Sequence, residues 1–374
     1  MSEPGHRTLL VLNLGSATLK AARYERSGSS GTRLLQRVEI ALSHPGPDLD
    51  AALAQVIDTL GLGAAPALVG HRIVHGGDAE QARALDAAEL ERLRALSGFA
   101  PLHQRAALGL VSAVQGRWPR TPQYASFDTL WHARLPANTR RLAVPKAWHA
   151  LGIRRYGFHG LAFASAMRQV REVHPPVSRE RVVLAHLGSG CSLCAVRDSQ
   201  SLDTTMTSTP LDGLPMATRS GTLDPGAVLY LLRAGELSAD ALEEALYHEC
   251  GLRGLSGLSG DVRDLLAAGS VEAALALDIF ALRIAQGIAS MATRSGGIDH
   301  LIFSGGIGAN APRVRAAIAG YLGWLGIELD GAANDRGDVR LNSPDSRARV
   351  WRVDVDEEAE IAAACAVATA LPRS

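Results

Sequence analysis

Two stretches of the chain share one pattern of apolar and polar positions. The first, Leu10–Arg23, reads LVLNLGSATLKAAR: an apolar run, a polar turn around Gly15-Ser16 and a second segment with apolar residues. The same order returns at Val182–Arg197, which reads VVLAHLGSGCSLCAVR and has one inserted residue. A buried run followed by such a turn is typical of a β-hairpin. The repeat predicts two related domains, each with a polar turn after its first strand.

Strand-like and helix-like segments alternate after each hairpin, which predicts an α/β fold. Apolar runs predict further strands at Ala67–Val69, Tyr124–Asp128, His300–Phe303 and Trp351–Val355. Helical periodicity predicts helices at Leu49–Leu60, Ala87–Leu96, Ala106–Val114, Leu161–Val173, Ala227–Leu232, Ala239–Tyr247, Val271–Thr293, Pro312–Tyr321 and Glu357–Leu371. The pattern predicts a chain break at Ala100–His103 and a Gly/Ser-rich loop at Leu252–Asp264. Thr204–Pro225 is a long aperiodic segment with apolar anchors, which indicates a functional loop.

The composition narrows the class of protein. A chain of 374 residues, 47% of them hydrophobic, is long enough for two domains with a core in each. The formal charge is zero, which excludes a basic field for nucleic acid or acidic lipid. No run approaches the roughly 18 apolar residues of a membrane span. The start, MSEPGHRTLL, does not resemble a secretory signal.

Lysine and cysteine are both scarce. The 38 basic residues are 36 Arg with Lys20 and Lys146. Neither lysine follows a glycine, as a Walker A loop requires, so a P-loop nucleotide hydrolase is excluded. Cys191 and Cys194 form a CxxC motif, but no second pair completes a zinc site and the strand pattern places them on opposite faces. Four sparse cysteines fit a reducing cytoplasm.

Three polar turns follow predicted strands, which is where open α/β sheets bind ligands. They are Gly15-Ser16, Gly188-Ser189 and the Gly305–Gly308 segment, and their backbone N–H groups suit phosphate oxygens. Each is also compatible with a plain hairpin turn. The run Gly306–Ala311 resembles a dinucleotide fingerprint, but no acidic residue follows about 20 positions later at a strand end, as a Rossmann site needs.

Three charged residues stand out by their positions. Arg72 follows a buried strand and precedes Gly-Gly, and Arg219 lies inside the long loop. A guanidinium can bind a carboxylate or a phosphate with two parallel hydrogen bonds, which suits a substrate site. Because the chain has 36 Arg, an ordinary surface salt bridge is an equally open interpretation of Arg72 and of Arg219. Asp128 ends an apolar strand, which fits a metal or water ligand and equally a helix cap.

Motifs along almost the whole chain resemble those of the acetate and propionate kinase family. They are LVLNLGSATLK, GHRIVHGG, APLH, FDTLWH, GIRRYGFHG, HLGSG, TPLDGLPMATRSGTLDP, FSGGIGAN and VDEEAEIA. The resemblance implies the actin-like ATPase fold, an α/β fold with two duplicated ribonuclease-H-like domains and an interdomain cleft for ATP and substrate. It implies an N-terminal domain of residues 1–145 closed by residues 358–374, and a nucleotide-binding domain of residues 146–357.

The same resemblance implies roles at matching positions. Arg72 and Arg219 would clamp the carboxylate and the phosphoryl group, Asp128 would position magnesium or substrate, and His159 would donate to phosphoryl oxygens. The implied phosphate or transition-state contacts are His103, Asn13, Ser16, Thr18 and Lys20. The implied acyl pocket is Val74, Leu102, Phe158 and Pro210. The implied nucleotide contacts are His186, Gly188, Ser189, Gly190, Asp261, Val262, Arg263, Gly305, Gly306, Ile307, Gly308 and Asn310. The implied metal residues are Asn13 and Glu357, with Glu358 as an adjacent alternative.

The implied activity is reversible, direct in-line transfer of a phosphoryl group from ATP to acetate with Mg2+, or Mn2+ in its place, by a cytoplasmic homodimer. A carboxylate nucleophile is ionised at pH 7, so such a site needs positioning and charge stabilisation rather than a general base. Three positions depart from the family's usual residues: Ser189 replaces Asn, Ala309 replaces Glu and Thr18 replaces Ser. They predict altered nucleotide contacts. Two alternatives stay open, a kinase preferring propionate or another short-chain acid, and a non-catalytic actin-like nucleotide-binding protein.

Overall fold

The computed structural model describes residues 8–15, 18–27, 31–42, 48–235 and 237–370, without the Leu102 side chain. The strands in these ranges are β1 (Thr8–Leu14), β2 (Thr18–Ser27), β3 (Gly31–Ala41), β4 (Leu68–Ile73), β5 (Arg83–Ala84), β6 (Gln123–Phe127), β7 (Val182–Leu187), β8 (Cys191–Arg197), β9 (Gln200–Thr204), β10 (His300–Ser304) and β11 (Arg349–Arg352). The α-helices in the same ranges are α1 (Leu49–Thr59), α2 (Ala87–Ala95), α3 (Pro101–Arg117), α4 (Ala137–Arg140), α5 (Lys146–Ala150), α6 (Gly160–Val173), α7 (Pro225–Ala234), α8 (Ala239–His248), α9 (Gly251–Ser256), α10 (Val262–Ala268), α11 (Val271–Ser295), α12 (Gly305–Asn310), α13 (Pro312–Gly320), α14 (Gly331–Arg336) and α15 (Glu357–Ala370).

These elements belong to two compact units, Met1–Ala133 with Asp356–Ser374 as unit 1, and Arg134–Val355 as unit 2. In the described residues of unit 1 the sheet order is β3-β2-β1-β4-β6-β5, and in those of unit 2 it is β9-β8-β7-β10-β11. Each sheet contains an antiparallel hairpin, β1–β2 or β7–β8. The first strand of the hairpin is followed across the sheet by parallel strands, β4 and β6 in unit 1 and β10 and β11 in unit 2, and the short β5 is antiparallel to β6. The predicted duplication is confirmed. The expected domain boundaries at 145/146 and 357/358 stay predictions.

The sheet of unit 1 is covered on both faces, which explains why every residue of β1 is buried. Leu10, Leu12 and Leu14 pack in one core cluster with residues of α1 and α3. Side chains alternate along a strand, so Asn13 points to the opposite face. Helix α15 packs against β1, β2, β4 and β6, and Asn13 contacts its first turn. The alternation therefore aims a polar side chain at the start of α15.

The longest helix in the described part of the chain, α11, is the central helix of unit 2. By length and composition alone it is the one described helix that could cross a membrane. It packs against β7, β8, β9, α9 and α13, and one of its faces is buried from Ala273 through Phe280 and Ile288 to Ser295. A core helix of a globular unit meets the same criterion, and these contacts account for the apolar composition of α11.

Three predictions of local structure were wrong. The expected break at Ala100–His103 is the start of α3, because Pro101 at the first helical position needs no backbone N–H partner. The expected loop Leu252–Asp264 contains most of α9 and the start of α10, and the side chain of Asp261 caps α10 by accepting from the N–H of Arg263. The expected turn Gly305–Gly308 is the first part of the short helix α12. Strands β5 and β9 and the short helices α4, α5 and α14 were not predicted.

Candidate active site

Three neighbouring parallel strands of unit 1 end at one edge of its sheet. β1 and β4 pair with Leu12 beside His71, and β4 and β6 pair with Arg72 beside Ser126. Asn13 and Arg72 lie near the carboxyl ends of their strands, and Asp128 directly follows β6. Ligands of open α/β sheets bind at such an edge. With Glu357 and Glu358 from the first turn of α15, these residues form what we call the first-unit cluster.

Arg72 and Asp128 are the most tightly joined pair of the first-unit cluster. Arg72 donates from Nε to Oδ1 of Asp128 at 2.8 Å and from Nη2 to Oδ2 at 2.6 Å. The side chains are only 14% and 2% exposed. Burial pushes the pKa of Arg72 down, but the charges of Asp128 and Glu357 outweigh this and raise it above its ordinary value. Arg72 is therefore a fixed cation, and the carboxylate of Asp128 is its ion-pair partner.

Asn13 connects Arg72 to the two glutamates. Its Oδ1 accepts a 3.3 Å hydrogen bond from Nη1 of Arg72, and its Nδ2 donates to Oε2 of Glu357 at 2.9 Å and to Oε1 of Glu358 at 2.6 Å. Glu358 is 8% exposed. Burial raises the pKa of Glu358, and the charge of Glu357 adds to that effect against the hydrogen bond from Asn13.

The donor set of the first-unit cluster fits a divalent cation. Asp128, Glu357 and Glu358 place three carboxylates around the single buried cation Arg72, and Lys20 on β2 is exposed. Carboxylate and amide oxygens are hard ligands of the kind that Mg2+ binds. A bound cation would also relieve the repulsion that raises the pKa of Glu358.

In unit 2, His159 is held in an unusual backbone conformation just before α6. Its φ of 59° and ψ of 24° lie in the left-handed region, which is uncommon for a residue with a side chain. Its Nδ1 is 2.8 Å from Oγ of Ser192 on β8, and its ring centroid is 4.8 Å from that of His186 on β7. The backbone and these two neighbours fix the direction of the imidazole.

Gly190 leaves space for two of the predicted catalytic side chains. A Cβ atom placed on it would lie 3.1 Å from Nε2 of His159 and 3.5 Å from Nη1 of Arg219. The same Nη1 donates to the backbone carbonyl of Pro210 at 3.1 Å. His159 and Arg219 therefore lie close together over the turn of the β7–β8 hairpin. We call His159, His186, Gly190, Ser192 and Arg219 the second-unit cluster.

The predicted nucleotide segments of unit 2 meet beside this turn. β7 and β10 pair with His186 next to Ser304, and His186 Nδ1 is 3.1 Å from Ser304 Oγ. A Cβ on Gly188 would lie 3.7 Å from the backbone N of Gly306. Gly305 has a φ of 79°, and a Cβ there would come within 2.6 Å of the Leu187 carbonyl oxygen, so this position requires glycine.

The remaining predicted nucleotide residues are less closely placed. Ser189 is exposed, and its carbonyl accepts from the N–H of Ala217 at 3.4 Å. The carboxylate of Asp261 accepts a 2.6 Å hydrogen bond from the guanidinium of Arg263. Hydrogen bonds from the side chain and the backbone N–H of Arg263 lower the pKa of Asp261. The exposed Asn310 donates to the carbonyl of Gly306 at 3.1 Å, while Val262 and Gly308 are buried and Ile307 is half-buried.

The other predicted site residues are placed separately in the two units. In unit 1 Thr18 and His103 are half-buried, His103 in the first turn of α3, and Val74 is buried. In unit 2 Phe158 and Pro210 are buried. Ser16 and the side chain of Leu102 lie outside the described residues, so their predicted roles stay predictions.

Two residues with a place in this arrangement were missed in the sequence. Ser192 was not singled out, although a hydroxyl inside the apolar run of β8 was a usable signal. Arg315 could not be distinguished among 36 arginines by type. Its position on the apolar face of α13, between Val314 and Ile318, would have marked it as buried.

A further polar cluster at the start of β10 resembles a metal site by residue type. Nε2 of His174 and of His300 lie 2.9 and 2.6 Å from Oε2 of Glu180. The indole of Trp351, which can only donate, donates to Nδ1 of His300 at 2.9 Å. Nε2 of neutral His300 then carries the proton and cannot ligate a metal. The hydrogen bonds from the histidines outweigh burial and lower the pKa of Glu180, so this cluster is a structural link.

Fold and clusters together define a class: an α/β protein of the actin-like ATPase fold, built from two ribonuclease-H-like domains with polar residues at strand ends. Two solved structures match nearly the whole chain. A propionate kinase from Francisella tularensis subsp. tularensis SCHU S4 has a TM-score of 0.85 and 31% identity, covering 96% of this chain and 98% of that one. The acetate kinase of Porphyromonas gingivalis has a TM-score of 0.80 and 28% identity, covering 98% and 100%.

Sequence comparison narrows the class further. The chain belongs to the Acetokinase family, whose sequence model matches residues 36–363. It is 37% identical to the acetate kinase of Nitrobacter hamburgensis, over 95% of this chain and 94% of the relative. It is 38% identical to the acetate kinase of Thermosynechococcus vestitus, over 98% and 99%. The resemblance drawn from the motifs is confirmed.

Proposed function

We propose that this protein phosphorylates acetate, transferring the γ-phosphoryl group of ATP reversibly to give acetyl phosphate and ADP. The observation that carries the proposal is the buried Arg72–Asp128 pair beside Asn13 at the strand ends of unit 1. It occurs in a chain of the Acetokinase family whose relatives over nearly its full length are named acetate kinases. Arg72 supplies a fixed cation where an anionic substrate needs one.

The reaction requires charge stabilisation more than proton transfer. A carboxylate oxygen of acetate forms a bond to the γ-phosphorus while the bond from that phosphorus to the bridging oxygen of ADP breaks. Acetate is already ionised at pH 7, so no base has to remove a proton. The obstacle is repulsion between two anions, which Arg72 and Arg219 offset by binding the carboxylate and the phosphoryl oxygens. Val74, Phe158 and Pro210 are assigned to the methyl group of the substrate.

His159 contributes a neutral donor. In this assignment the hydroxyl of Ser192 donates to Nδ1 of His159, which keeps the proton of the neutral ring on Nε2. Nε2 lies on the side of Gly190 and Arg219, so both donors act on the same group. A donor held in place before the reaction needs no reorganisation when charge develops on the transferring group.

Magnesium and the nucleotide are assigned to the remaining residues. Glu357, with Asn13, would hold Mg2+, and the ion would supply positive charge that neutralises phosphate oxygens; Mn2+ binds similar oxygen ligands. The nucleotide is assigned to the β7–β8 turn, to Asp261–Arg263 and to the Gly305–Asn310 segment. Thr18, Lys20 and His103 are assigned to phosphate contacts.

A hydroxamate assay with acetate, ATP and Mg2+ tests the proposal. We expect acetyl hydroxamate from the wild-type protein, and a loss of about 3 kcal/mol or more of transition-state stabilisation in Arg72→Ala and in Arg219→Ala. No product at millimolar substrates would favour the non-catalytic nucleotide-binding alternative. Near-normal turnover of either variant would contradict the catalytic role proposed for the arginine that it lacks.

Propionate is a second candidate substrate, favoured by the propionate kinase from Francisella tularensis among the similar structures. One methylene changes binding in an apolar pocket by only ~1–3 kcal/mol. Values of kcat/KM for acetate, propionate and butyrate would rank the acids. The first candidate requires acetate to rank highest.

We assign the protein to the cytoplasm and to a homodimer. Cys191 and Cys365 are buried as free thiols in the described part of the chain, which supports a reducing compartment. Helix α7 has no buried residue, and its Tyr230 is 71% exposed, which is compatible with a partner surface. Light scattering after gel filtration would give the mass, and that of a monomer would contradict the dimer.

A further inference from the structure

Arg315 on α13 is a buried arginine that the mechanism above does not use. It is 1% exposed, and it is the largest fully buried side chain in the described ranges. Its Nη1 donates to the carbonyl oxygens of Gly308 at 2.9 Å and Ala309 at 2.8 Å. Its Nε and Nη2 donate to the side-chain oxygen of Asn334 at 2.7 Å and to its carbonyl at 2.8 Å.

The positive charge of Arg315 has neutral hydrogen-bond partners, which is unusual for a buried arginine. Within the described residues, the hydrogen-bond acceptors of Arg315 are carbonyl and amide oxygens and not carboxylates. Burial lowers the pKa of Arg315, and repulsion from Arg352 adds to that effect. The charge of Asp335 opposes this lowering only in part. Burying a cation that is hydrogen-bonded only to neutral acceptors is costly, and an apolar side chain of similar size would avoid this cost. The benefit of the arginine must therefore lie in the groups that it orders.

Those groups include the carboxyl end of α12. Gly308 and Ala309 lie near the end of this helix, where free carbonyls carry partial negative charge. Ala309 also accepts from Nε of Arg352 at 2.9 Å. A helix of six residues rich in glycine is not stable by itself, so its position depends on such contacts.

The opposite end of α12 reaches the predicted nucleotide segment at the β7–β8 turn. Gly305 packs against the carbonyl of Leu187, and the backbone N of Gly306 lies near Gly188. α12 packs against β7, β10 and α13. A shift at the Arg315 end would therefore move the backbone that we assign to ATP.

We propose that Arg315 is a positioning residue for the nucleotide: it does not touch ATP, but it fixes the Gly305–Asn310 segment in the conformation that binds it. The inference rests on the proposed function, because that function assigns this segment to ATP. Asn334 completes the arrangement, since it also donates from Nδ2 to the carbonyl of Pro312 at 3.0 Å and so ties α14 to the start of α13.

Three variants test the inference. Arg315→Met removes every donor at similar length. Arg315→Lys keeps the charge and can still donate to the carbonyls of Gly308 and Ala309, but it loses the fork that also reaches Asn334. Arg313→Met, on the same helix but exposed, is the matched control. Thermal unfolding and far-ultraviolet circular dichroism of each variant report whether it is folded.

The primary measurement is calorimetric titration with a non-hydrolysable ATP analogue and Mg2+. We expect Arg315→Met to raise the Kd for the ATP analogue at least about tenfold, which is the smallest effect typical of removing a residue that holds ligand-binding groups in place. Arg315→Lys should fall between Arg315→Met and wild type, and Arg313→Met should match wild type. In steady-state kinetics the KM for ATP should rise, while the KM for acetate at saturating ATP stays near the wild-type value.

Other outcomes would overturn the inference. A folded Arg315→Met protein with wild-type affinity for the analogue would do so, as would equal rises in both KM values without rescue by lysine, since these indicate a general structural role. If Arg315→Met does not fold, a wild-type Kd in Arg315→Lys overturns it. A wild-type protein that binds the analogue but does not phosphorylate acetate contradicts the proposed function alone, whereas one that does not bind contradicts both.

Discussion

The guanidinium of Arg72 and the carboxylate of Asp128 form two parallel hydrogen bonds, 2.8 and 2.6 Å long, at the ends of neighbouring strands. Because Asp128 is 1% exposed, it holds the plane of the guanidinium in one orientation. The third nitrogen, Nη1, is directed to Asn13 at 3.3 Å. The role proposed for Arg72 thus depends on a planar fork and not only on positive charge.

The first prediction is that Arg72→Lys, which keeps the charge, loses most of the activity. Lysine cannot make the two parallel bonds, so the cation is no longer fixed where the substrate needs it. We expect kcat/KM in the hydroxamate assay to fall at least ~100-fold. Arg33→Lys, at a 71% exposed position on β3 of the same sheet, should match wild type. Near-wild-type activity of Arg72→Lys would show that charge alone suffices.

The second prediction separates the adjacent glutamates. Glu358 is buried with a raised pKa, whereas Glu357 is more exposed and better able to reach an ion. We expect Glu357→Gln to raise the Mg2+ concentration for half-maximal activity by about tenfold. Glu358→Gln removes a desolvated charge and should change this concentration less without lowering the unfolding temperature. A larger Mg2+ effect in Glu358→Gln would move the metal assignment to Glu358.

The third prediction concerns the hydroxyl behind His159. Ser192→Ala removes the group 2.8 Å from Nδ1, so the ring loses the contact that fixes its orientation and its tautomer. We expect kcat to fall about tenfold with a nearly unchanged KM for ATP. Ser201→Ala is the matched control, because Ser201 is also buried in this sheet but contacts Cys194. Equal kcat values for Ser192→Ala and wild type would contradict the role of Ser192.

The hairpins and the duplication could be predicted from the sequence because strand patterns are local. An apolar run such as Leu9–Leu12, followed by a turn, is compatible with few structures other than a buried strand. The order of β1, β4 and β6 then places Asn13, Arg72 and Asp128 at one edge of the sheet, as parallel strands require. These three residues lie in three of the motifs that carry the resemblance to the family, LVLNLGSATLK, GHRIVHGG and FDTLWH.

The short helices and their supports could not be predicted in the same way. The residues of α12 have low intrinsic helix propensity, and contacts from Arg315 and Arg352 hold its carbonyls instead. Asp261 starts α10 within a Gly/Ser-rich segment by capping it. The left-handed conformation of His159 likewise depends on tertiary contacts. The position of α12 and the backbone of His159 depend on contacts with residues far away in the sequence. A local pattern of apolar and polar positions does not contain information on such contacts.

His71 makes the stability of the protein sensitive to mild acid. Burial lowers its pKa from the ordinary 6.5 to about 4, and its hydrogen bond with Gln123 only partly opposes this. The unfolded chain therefore binds a proton at a higher pH than the folded chain. The stabilisation is complete above pH 6.5 and is lost as the pH falls from 6.5 toward 4, by up to about 1.4 kcal/mol per pH unit.

The fourth prediction is that His71→Gln makes the free energy of unfolding, measured by urea titration, fall less steeply with acidification than in wild type. A glutamine amide can replace Nε2–H as the donor to Oε1 of Gln123, 2.8 Å away, but it does not titrate. His71→Leu is the control: it should show the same shallower slope but a stability at neutral pH lower by about 1–3 kcal/mol, because it leaves that oxygen without its donor. If both variants keep the wild-type slope between pH 6.5 and about 4, protonation of His71 does not set the acid sensitivity.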